Sequence, residues 1–146
     1  MNRYSQYALA IAYTANAMRG MLDKQGQPMI EHALRVALTL KDLDEKIVAV
    51  LHDVIEDCEK VTLVDLSFIF PSDIVSAVDA ISKRNNESYI EFIKRCCLND
   101  IARRVKKEDI MDNNSSIRLY KLDPNKRMQL RLKYAKALNY INNYNK

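Results

Sequence analysis

The chain has 146 residues, which fits one compact domain, and a net charge of +4, which permits an anionic ligand without requiring one. Its three cysteines form an odd set with no CxxC pair, which argues against a disulfide framework and a cysteine zinc site. The sequence shows neither a signal peptide nor an apolar run of the ~20 residues that a membrane span needs. We therefore expect a single cytoplasmic domain over residues 1–146.

Helical spacing of apolar residues continues along most of the chain. Only two glycines and three prolines occur, fewer than strands and their turns usually need. The pattern predicts an all-α bundle of about seven to eight helices. The predicted helices span residues 3–20, 28–41, 44–58, 62–69, 72–83, 88–97, 99–112 and 125–144.

Local signals predict where several of these helices begin. Pro28 follows a polar loop and suits a first helical position, and Asp44 is a candidate cap for the third helix. Thr62 stands three residues before Asp65, as in a capping box. The pair Asp123–Pro124 predicts a new start before the last helix.

The predicted third helix carries a polar cluster, "LHDVIED" at residues 51–57, within an apolar sequence. Helical geometry places His52 and Glu56 on one face and Asp53 and Asp57 on the neighbouring face. Like charges at this spacing cost roughly 0.2–0.5 kcal/mol per pair at the surface, and burying unpaired carboxylates costs far more. Two interpretations are open: a polar helix end, or a cation bound among these side chains.

The two histidines, His32 and His52, each lie in an apolar-periodic helix. A histidine in such a helix is more often a core residue than a ligand, but Asp53 beside His52 favours a metal site. Imidazole together with carboxylate suits Mn, Fe, Co or Zn rather than Ca. Asp109 is the candidate for a further ligand, because the helix dipole disfavours an acid near a helix C-terminus. Asn113 shares its face, and the alternative for this pair is an ordinary helix end with an asparagine cap.

Together these residues resemble the H…HD…D signature of the HD-domain phosphohydrolases. Four ordered blocks are similar to the hydrolase domain of RelA/SpoT-type proteins, and more closely to the stand-alone small alarmone hydrolases. The blocks are "DKQGQPMIEHALRVA", "AVLHDVIEDCEKVTLVDL", "DAISKRNNESYIEFIKR" and "VKKEDIMDNN". The similarity runs from about Ala15 to Tyr140, and it implies an HD-domain helical bundle with metal-dependent phosphohydrolase activity.

The resemblance also implies roles for single residues. It implies a metal, typically manganese in this family, with four ligands: His32, His52, Asp53 and Asp109. Glu56 and Asp57 match the acidic pair that serves the attacking water. The implied reaction releases pyrophosphate from the ribose 3′ position of guanosine tetra- or pentaphosphate.

Four residues are candidates for substrate contacts. Lys24 and Lys83 fall in blocks whose basic residues face phosphates in the family, and Asn113 matches an asparagine near the nucleotide. Arg35 lies on the same side of its helix as His32 and is a further candidate for offsetting phosphate charge. Its alternative is a surface ion pair with Glu31, four residues earlier.

Several features keep other activities open. Met18, Met21 and Met29 stand where the family often has polar or aromatic residues, which puts the exact substrate in question. The alternatives are an HD phosphohydrolase for another nucleotide or for pyrophosphorylated RNA 3′ ends, and a non-catalytic HD module for binding or regulation. The oligomeric state does not follow from the sequence.

Basic and aromatic residues elsewhere have simpler interpretations. Lys126, Arg127 and Arg131 form a basic face on the last helix, which we interpret as solvated because no aromatic residues interleave with it. We therefore expect a small-molecule nucleotide as partner, and neither nucleic acid nor membrane. Tyr89 and Phe92 are predicted core residues, with base stacking as the alternative.

Overall fold

Ten helices occur within residues 1–145, the part of the chain that the computed structural model describes. Seven have nine or more residues, and α4, α5 and α9 have four or five. The all-α prediction is confirmed. In chain order the helices are α1 (Arg3–Ala17), α2 (Ile30–Thr39), α3 (Leu43–Leu51), α4 (Val54–Asp57), α5 (Leu63–Ser67), α6 (Ser72–Ile81), α7 (Tyr89–Cys97), α8 (Asp100–Asn113), α9 (Ser116–Leu119) and α10 (Pro124–Asn142).

Helix α3 lies at the centre of the bundle. It packs against α1, α2, α6 and α8, and its residues 47–51 are fully buried. A helix covered on several sides must be apolar around much of its circumference, which explains the run "IVAVL". The residues that follow this run, His52 and Asp53, therefore emerge directly from the middle of the core.

The predicted helix 44–58 is interrupted at His52 and Asp53. Helix α3 ends at Leu51 and α4 begins at Val54. The ring Nδ1 of His52 hydrogen-bonds the carbonyl of Ala49, the group that would accept from the Asp53 N–H in a continuous helix. A side chain that competes for a helical carbonyl in this way ends the regular ladder. The prediction of one uninterrupted helix is wrong, and the break falls on the two residues singled out as ligands.

Two predicted helix starts are also wrong. Pro28 begins no helix, because it pairs with Leu22 in an isolated antiparallel bridge and α2 starts at Ile30. Helix α3 has Asp42 rather than Asp44 as its N-cap residue. In the first case the loop before the helix is held by a bridge that local sequence patterns do not describe.

Other predicted starts are confirmed. Thr62 and Asp65 form a capping box at the start of α5. The Asp123 side chain accepts from two backbone N–H groups at the start of α10, with Pro124 as the first helical residue. The short helix α9 has no counterpart among the predicted helices. Within residues 1–145, no helix is both long and apolar enough to cross a membrane.

Candidate metal centre

Four polar side chains meet where α2, α8 and the α3–α4 junction converge. The Nε2 atoms of His32 and His52 lie 2.7 Å and 3.0 Å from Oδ1 of Asp109. Oδ2 of Asp53 lies 3.2 Å from Nε2 of His52 and 3.6 Å from Nε2 of His32. His32, His52 and Asp109 are buried, and their ligand atoms all lie within 4.8 Å of one another. We call these four residues the His–Asp cluster.

The other ring nitrogen of each histidine is already engaged. Nδ1 of His32 lies 2.6 Å from Oδ2 of Asp112, and Nδ1 of His52 contacts the carbonyl of Ala49. Carboxylates and carbonyls only accept hydrogen bonds, so Nδ1 carries the hydrogen in both rings. In a neutral ring, Nε2 then directs a lone pair at a carboxylate oxygen, a repulsion that a proton or a metal cation at Nε2 relieves. A cation among these atoms turns that repulsion into coordination, so the donor set fits a divalent metal.

Charges within the cluster shift its pKa values strongly. Burial alone would lower the pKa of His52, but the carboxylates of Asp53 and Asp109 outweigh it and raise the pKa well above the usual range. Burial alone would raise the pKa of Asp109, but Lys106 and the histidines hold it well below the usual range. The protein environment therefore keeps Asp109 ionised, as a metal ligand must be.

Lys106 is a buried partner of the cluster that the sequence analysis missed. Its Nζ donates to Oδ2 of Asp109 over 2.7 Å, and it lies 4.9 Å from the ring centroid of Phe92. Burial alone would lower the pKa of Lys106, but Asp109 outweighs it and raises the pKa. Lys106 thus holds one Asp109 oxygen in place while the other faces the histidines. The signal in the sequence was a lysine three residues before Asp109, on the same helix face.

Asp112 is a second missed residue, and it accounts for the position of Arg35. The Arg35 guanidinium binds Asp112 through two hydrogen bonds, Nε to Oδ1 at 2.9 Å and Nη2 to Oδ2 at 3.1 Å. Its ion pair with Glu31 is longer, at 3.9 Å. Burial raises the pKa of Asp112, but His32 and Arg35 outweigh it and lower the pKa to about 2. The structure therefore places Arg35 behind His32, and its predicted contact with substrate stays a prediction.

Glu56 lies one turn beyond the cluster, on α4. Its carboxylate accepts a hydrogen bond from the backbone N–H of Lys83. Both residues border an open cleft of about 630 Å³, which we call the Glu56 cleft and which is also lined by Ile55, Arg84 and Asn85. Desolvation by the surrounding protein raises the pKa of Glu56, while the Lys83 N–H opposes that shift. A carboxylate with a raised pKa beside a cluster of this kind is suited to exchange protons with water.

Asp57 faces a different cavity, of about 390 Å³. Burial and the neighbouring carboxylates of Asp53 and Glu56 raise the pKa of Asp57 to about 6. Within residues 1–145 no hydrogen bond joins Glu56 to Asp57, so the acidic pair is divided between two openings. We call this second opening the basic cavity; its lining includes Lys24, Asp57, Asn113, Arg118, Lys126 and Lys133.

Arg118 is the third residue that the sequence analysis missed. Its side chain is 17% exposed, and its Nη1 lies 3.9 Å from Asp23 and 3.8 Å from Asp112. Among the described residues 1–145, buried Nη1 has no hydrogen-bond partner. A guanidinium nitrogen that lies at a cavity wall without a hydrogen-bond partner is suited to donate to an anionic oxygen.

The remaining predicted residues divide between the two openings. Lys24 and Asn113 line the basic cavity, where the Asn113 amide also donates to Asp109 over 3.2 Å, and Lys83 lines the Glu56 cleft. Met29 lines the basic cavity and packs with buried Met18 in a small apolar cluster that Met21 also contacts. The predicted roles of these residues in substrate binding stay predictions.

Comparison with known proteins places this arrangement in a family. The sequence profile of the HD domain matches residues 10–113, a range that contains the whole His–Asp cluster. This chain belongs to the HD-domain family. The family predicted from its motifs is confirmed.

Two named relatives are similar in sequence to part of this HD-domain chain. A guanosine-3′,5′-bis(diphosphate) 3′-pyrophosphohydrolase from Vibrio cholerae serotype O1 is 42% identical over 72 residues, which are 47% of this chain and 10% of the relative. A GTP pyrophosphokinase from Myxococcus xanthus is 37% identical over 78 residues, which are 51% of this chain and 10% of the relative. The chain thus spans about a tenth of the length of both relatives.

A solved structure shows the same fold over nearly the whole chain. It is described as that of a metazoan ortholog of SpoT that hydrolyses ppGpp and plays a role in starvation responses. The superposition has a TM-score of 0.81, covers 95% of this chain and 86% of the other, and has 19% sequence identity. At that identity the likeness establishes the HD-type helical fold.

Proposed function

We propose that this HD-domain protein is a metal-dependent 3′-pyrophosphohydrolase of guanosine tetra- and pentaphosphate. The observation that carries the proposal is the convergence of two Nε2 atoms and two carboxylates, with both Nδ1 atoms held by acceptors. The 42% identity to a named 3′-pyrophosphohydrolase over 72 residues supports this choice of substrate.

The His–Asp cluster would hold the metal through His32, His52, Asp53 and Asp109, and we propose Mn²⁺ as the ion. When bound, such a cation supplies Lewis-acid polarisation of a phosphoryl group and activation of water. Imidazole and carboxylate ligands suit Mn²⁺ among the transition metals. Lys106 and Asp112 would keep Asp109 and His32 in position for it.

The chain's own residues supply the remaining chemistry. Glu56 accepts a proton from the attacking water, whose oxygen bonds to the phosphorus nearest the ribose. The bond from that phosphorus to the ribose 3′ oxygen breaks, and the 3′ oxygen takes up a proton. Guanosine tetraphosphate thereby yields GDP and pyrophosphate. The cations of the basic cavity, Lys24 and Arg118 among them, offset the charge of the nucleotide phosphates.

The test is hydrolysis of guanosine tetraphosphate with Mn²⁺, followed by separation of nucleotides and pyrophosphate. We expect GDP and pyrophosphate from the wild type. Asp53→Ala should lose activity together with metal affinity, and Glu56→Ala should lose activity but keep metal affinity. Glu59→Ala, an exposed acid three residues beyond Glu56, is the matched control and should behave as wild type.

Two outcomes would count against the proposal. If the wild type left guanosine tetraphosphate intact but cleaved another 3′-phosphorylated nucleotide or an RNA 3′ end, the proposed substrate would be wrong and the proposed enzyme class would stand. An Asp53→Ala variant that kept full activity would overturn the metal assignment. A panel of such nucleotides in the same assay separates these outcomes.

A further inference from the structure

The segment between α6 and α7, residues 82–88, supplies the hydrogen-bond donor to Glu56, and we call it the 82–88 loop. The donor is the backbone N–H of Lys83. Within residues 1–145 it is the one hydrogen bond that the Glu56 carboxylate accepts. The position of Glu56 therefore depends on a main-chain group, whose direction is set by the fold of the loop and not by the lysine side chain.

A single guanidinium, that of Arg95 on α7, holds the loop at both ends. Its Nη2 donates to the carbonyl of Ser82 over 2.7 Å, and its Nη1 donates to the carbonyl of Asp79, at the end of α6, over 3.2 Å. Its Nε and Nη2 also bind the two oxygens of Glu87 at 2.7 Å and 2.9 Å. Arg95 and Glu87 are 19% and 12% exposed, so this contact is shielded from solvent.

The carbonyl of Ser82 and the N–H of Lys83 belong to one peptide group. A peptide group is planar, and in its trans form the carbonyl and the N–H point in opposite directions. By binding the Ser82 carbonyl on one side, Arg95 aims the Lys83 N–H at Glu56 on the other. A peptide group that accepts from a charged donor is also polarised, which strengthens its own N–H as a donor.

We propose that Arg95 is a positioning residue for Glu56, acting through the Ser82–Lys83 peptide group, with Glu87 fixing the orientation of the guanidinium. The proposal rests on the role of Glu56 in the proposed function. Within residues 1–145, Arg95 makes no hydrogen bond to the His–Asp cluster and is not among the residues that line either opening. Any effect of Arg95 on catalysis is therefore indirect, and a double-mutant cycle with Glu56 tests whether it passes through Glu56.

The first test needs no substrate. Amide hydrogen exchange of Lys83, measured by NMR, reports whether its N–H is held. In Arg95→Met we expect Lys83 exchange to become roughly tenfold faster or more, as its hydrogen bond is lost. The matched control is Arg103→Met. The Arg103 side chain is likewise only 13% exposed, binds a main-chain carbonyl, that of Cys97, at 2.9 Å, and pairs with an acid, Asp100. Unchanged Lys83 exchange in Arg95→Met would overturn the proposal.

The second test is a double-mutant cycle on kcat, under Mn²⁺ saturation, with whichever 3′-phosphorylated nucleotide the wild type hydrolyses. Arg95→Met should lower kcat about tenfold to a hundredfold in the wild type, as displacement of a catalytic group does. In a Glu56→Ala background the same change should lower kcat by less than about twofold, because the group it positions is gone. Equal losses in both backgrounds would show a merely structural role and overturn the proposal.

A conservative variant guards against a simple folding defect. Arg95→Lys keeps one charged donor and should recover part of the lost kcat and of the Lys83 protection, whereas Arg103→Met should lower stability with kcat retained. A wild type that is inactive on guanosine tetraphosphate but active on another nucleotide contradicts the proposed substrate alone. A normal Lys83 exchange rate in Arg95→Met contradicts the positioning role alone.

Discussion

At the scale of single residues, Asp112 decides which nitrogen of His32 faces the His–Asp cluster. The carboxylate of Asp112 accepts from Nδ1 of His32 and is itself held by two hydrogen bonds from Arg35. Such outer partners of a ligand histidine fix its tautomer and ring orientation. Asp112 is thus a residue that supports metal binding without being a proposed ligand.

Replacement of Asp112 tests this role. In Asp112→Ala, Nδ1 of His32 loses its acceptor, and we expect the affinity for Mn²⁺ to fall about 10–100-fold. Asp112→Asn can still offer an amide oxygen and should lose less. Titration of Mn²⁺ by electron paramagnetic resonance measures the affinity, and Asp100→Ala, an exposed acid on the same helix, is the control. An Asp112→Ala variant with wild-type affinity would contradict the role.

Arg118 offers a second test at the same scale, on the substrate side. A charge-assisted hydrogen bond contributes about 1.5–3 kcal/mol, so Arg118→Met should raise KM for guanosine tetraphosphate about 10–100-fold. Steady-state kinetics measures KM, and a Mn²⁺ titration should show unchanged metal affinity. Arg127→Met removes a guanidinium outside the basic cavity and should leave KM unchanged. A metal affinity that fell while KM rose would instead assign Arg118 to the support of the His–Asp cluster.

These residues also show how much of the candidate site could be predicted from the sequence. The set of His32, His52, Asp53 and Asp109 was predicted from residue types, helical setting and the resemblance to the HD-domain family. The structure brings all four together. Their supporting partners lie within a few residues of Asp109 on α8 or just beyond it, where a lysine, an aspartate or an arginine would ordinarily face solvent. Tertiary packing turns those side chains inward: Asp112 meets His32 of α2, and Lys106 lies against Phe92 of α7.

At the scale of elements, the interruption between α3 and α4 separates what local patterns can predict from what they cannot. Apolar periodicity continues from α3 into α4, so the sequence predicts one helix. The break arises because the His52 ring takes the Ala49 carbonyl, and it does so while facing ligands from α2 and α8. The capping box at Thr62 was predicted because both of its partners lie within one turn. The capping box at Ser88 was not predicted, although its partner Glu91 has the same spacing.

The pair Glu87–Arg95 gives a pH-dependent prediction for the 82–88 loop. Hydrogen bonds from Arg95, against a smaller opposing effect of burial, lower the pKa of Glu87 from 4.5 to about 2, and the backbone N–H and charge of Arg84 act in the same direction. A lowered folded-state pKa contributes stability that is full above pH 4.5 and is lost as the pH falls towards about 2.

Urea unfolding of the wild type and of Glu87→Gln, without metal, measures this contribution. The wild type should be the more stable protein at pH 6, and the difference in unfolding free energy should shrink steadily between pH 5 and pH 3. Comparing two variants cancels the titration of the His–Asp cluster, which both share. A difference that stayed constant over this range would mean that the pair does not stabilise the fold through its charge.

At the scale of the whole molecule, the core and the His–Asp cluster share one set of helices. The buried segment of α3 packs against α1, α2, α6 and α8, and the cluster lies at its end, where α2 and α8 meet the α3–α4 junction. Composition and periodicity were enough to predict an all-α fold, because the chain has fewer glycines and prolines than strands and their turns usually need. The relative placement of helices could be anticipated only through the resemblance to the HD-domain family.

This shared placement means that metal binding and folding stability should be linked. The folded chain gathers Asp53, Asp109 and two histidine nitrogens that the unfolded chain leaves apart, so a cation that they bind stabilises the folded state. At a free Mn²⁺ concentration of 100 times Kd the gain is about 2.7 kcal/mol, which corresponds to a rise in Tm of roughly 5–11 °C for a chain of this size. Differential scanning fluorimetry with and without Mn²⁺ measures it. Asp53→Ala should lose most of the rise and Glu59→Ala should keep it, because Glu59 lies outside the cluster. A wild-type Tm that did not change on addition of Mn²⁺ would contradict metal binding by the His–Asp cluster. The acids at the end of the buried helix would then have no metal counter-ion.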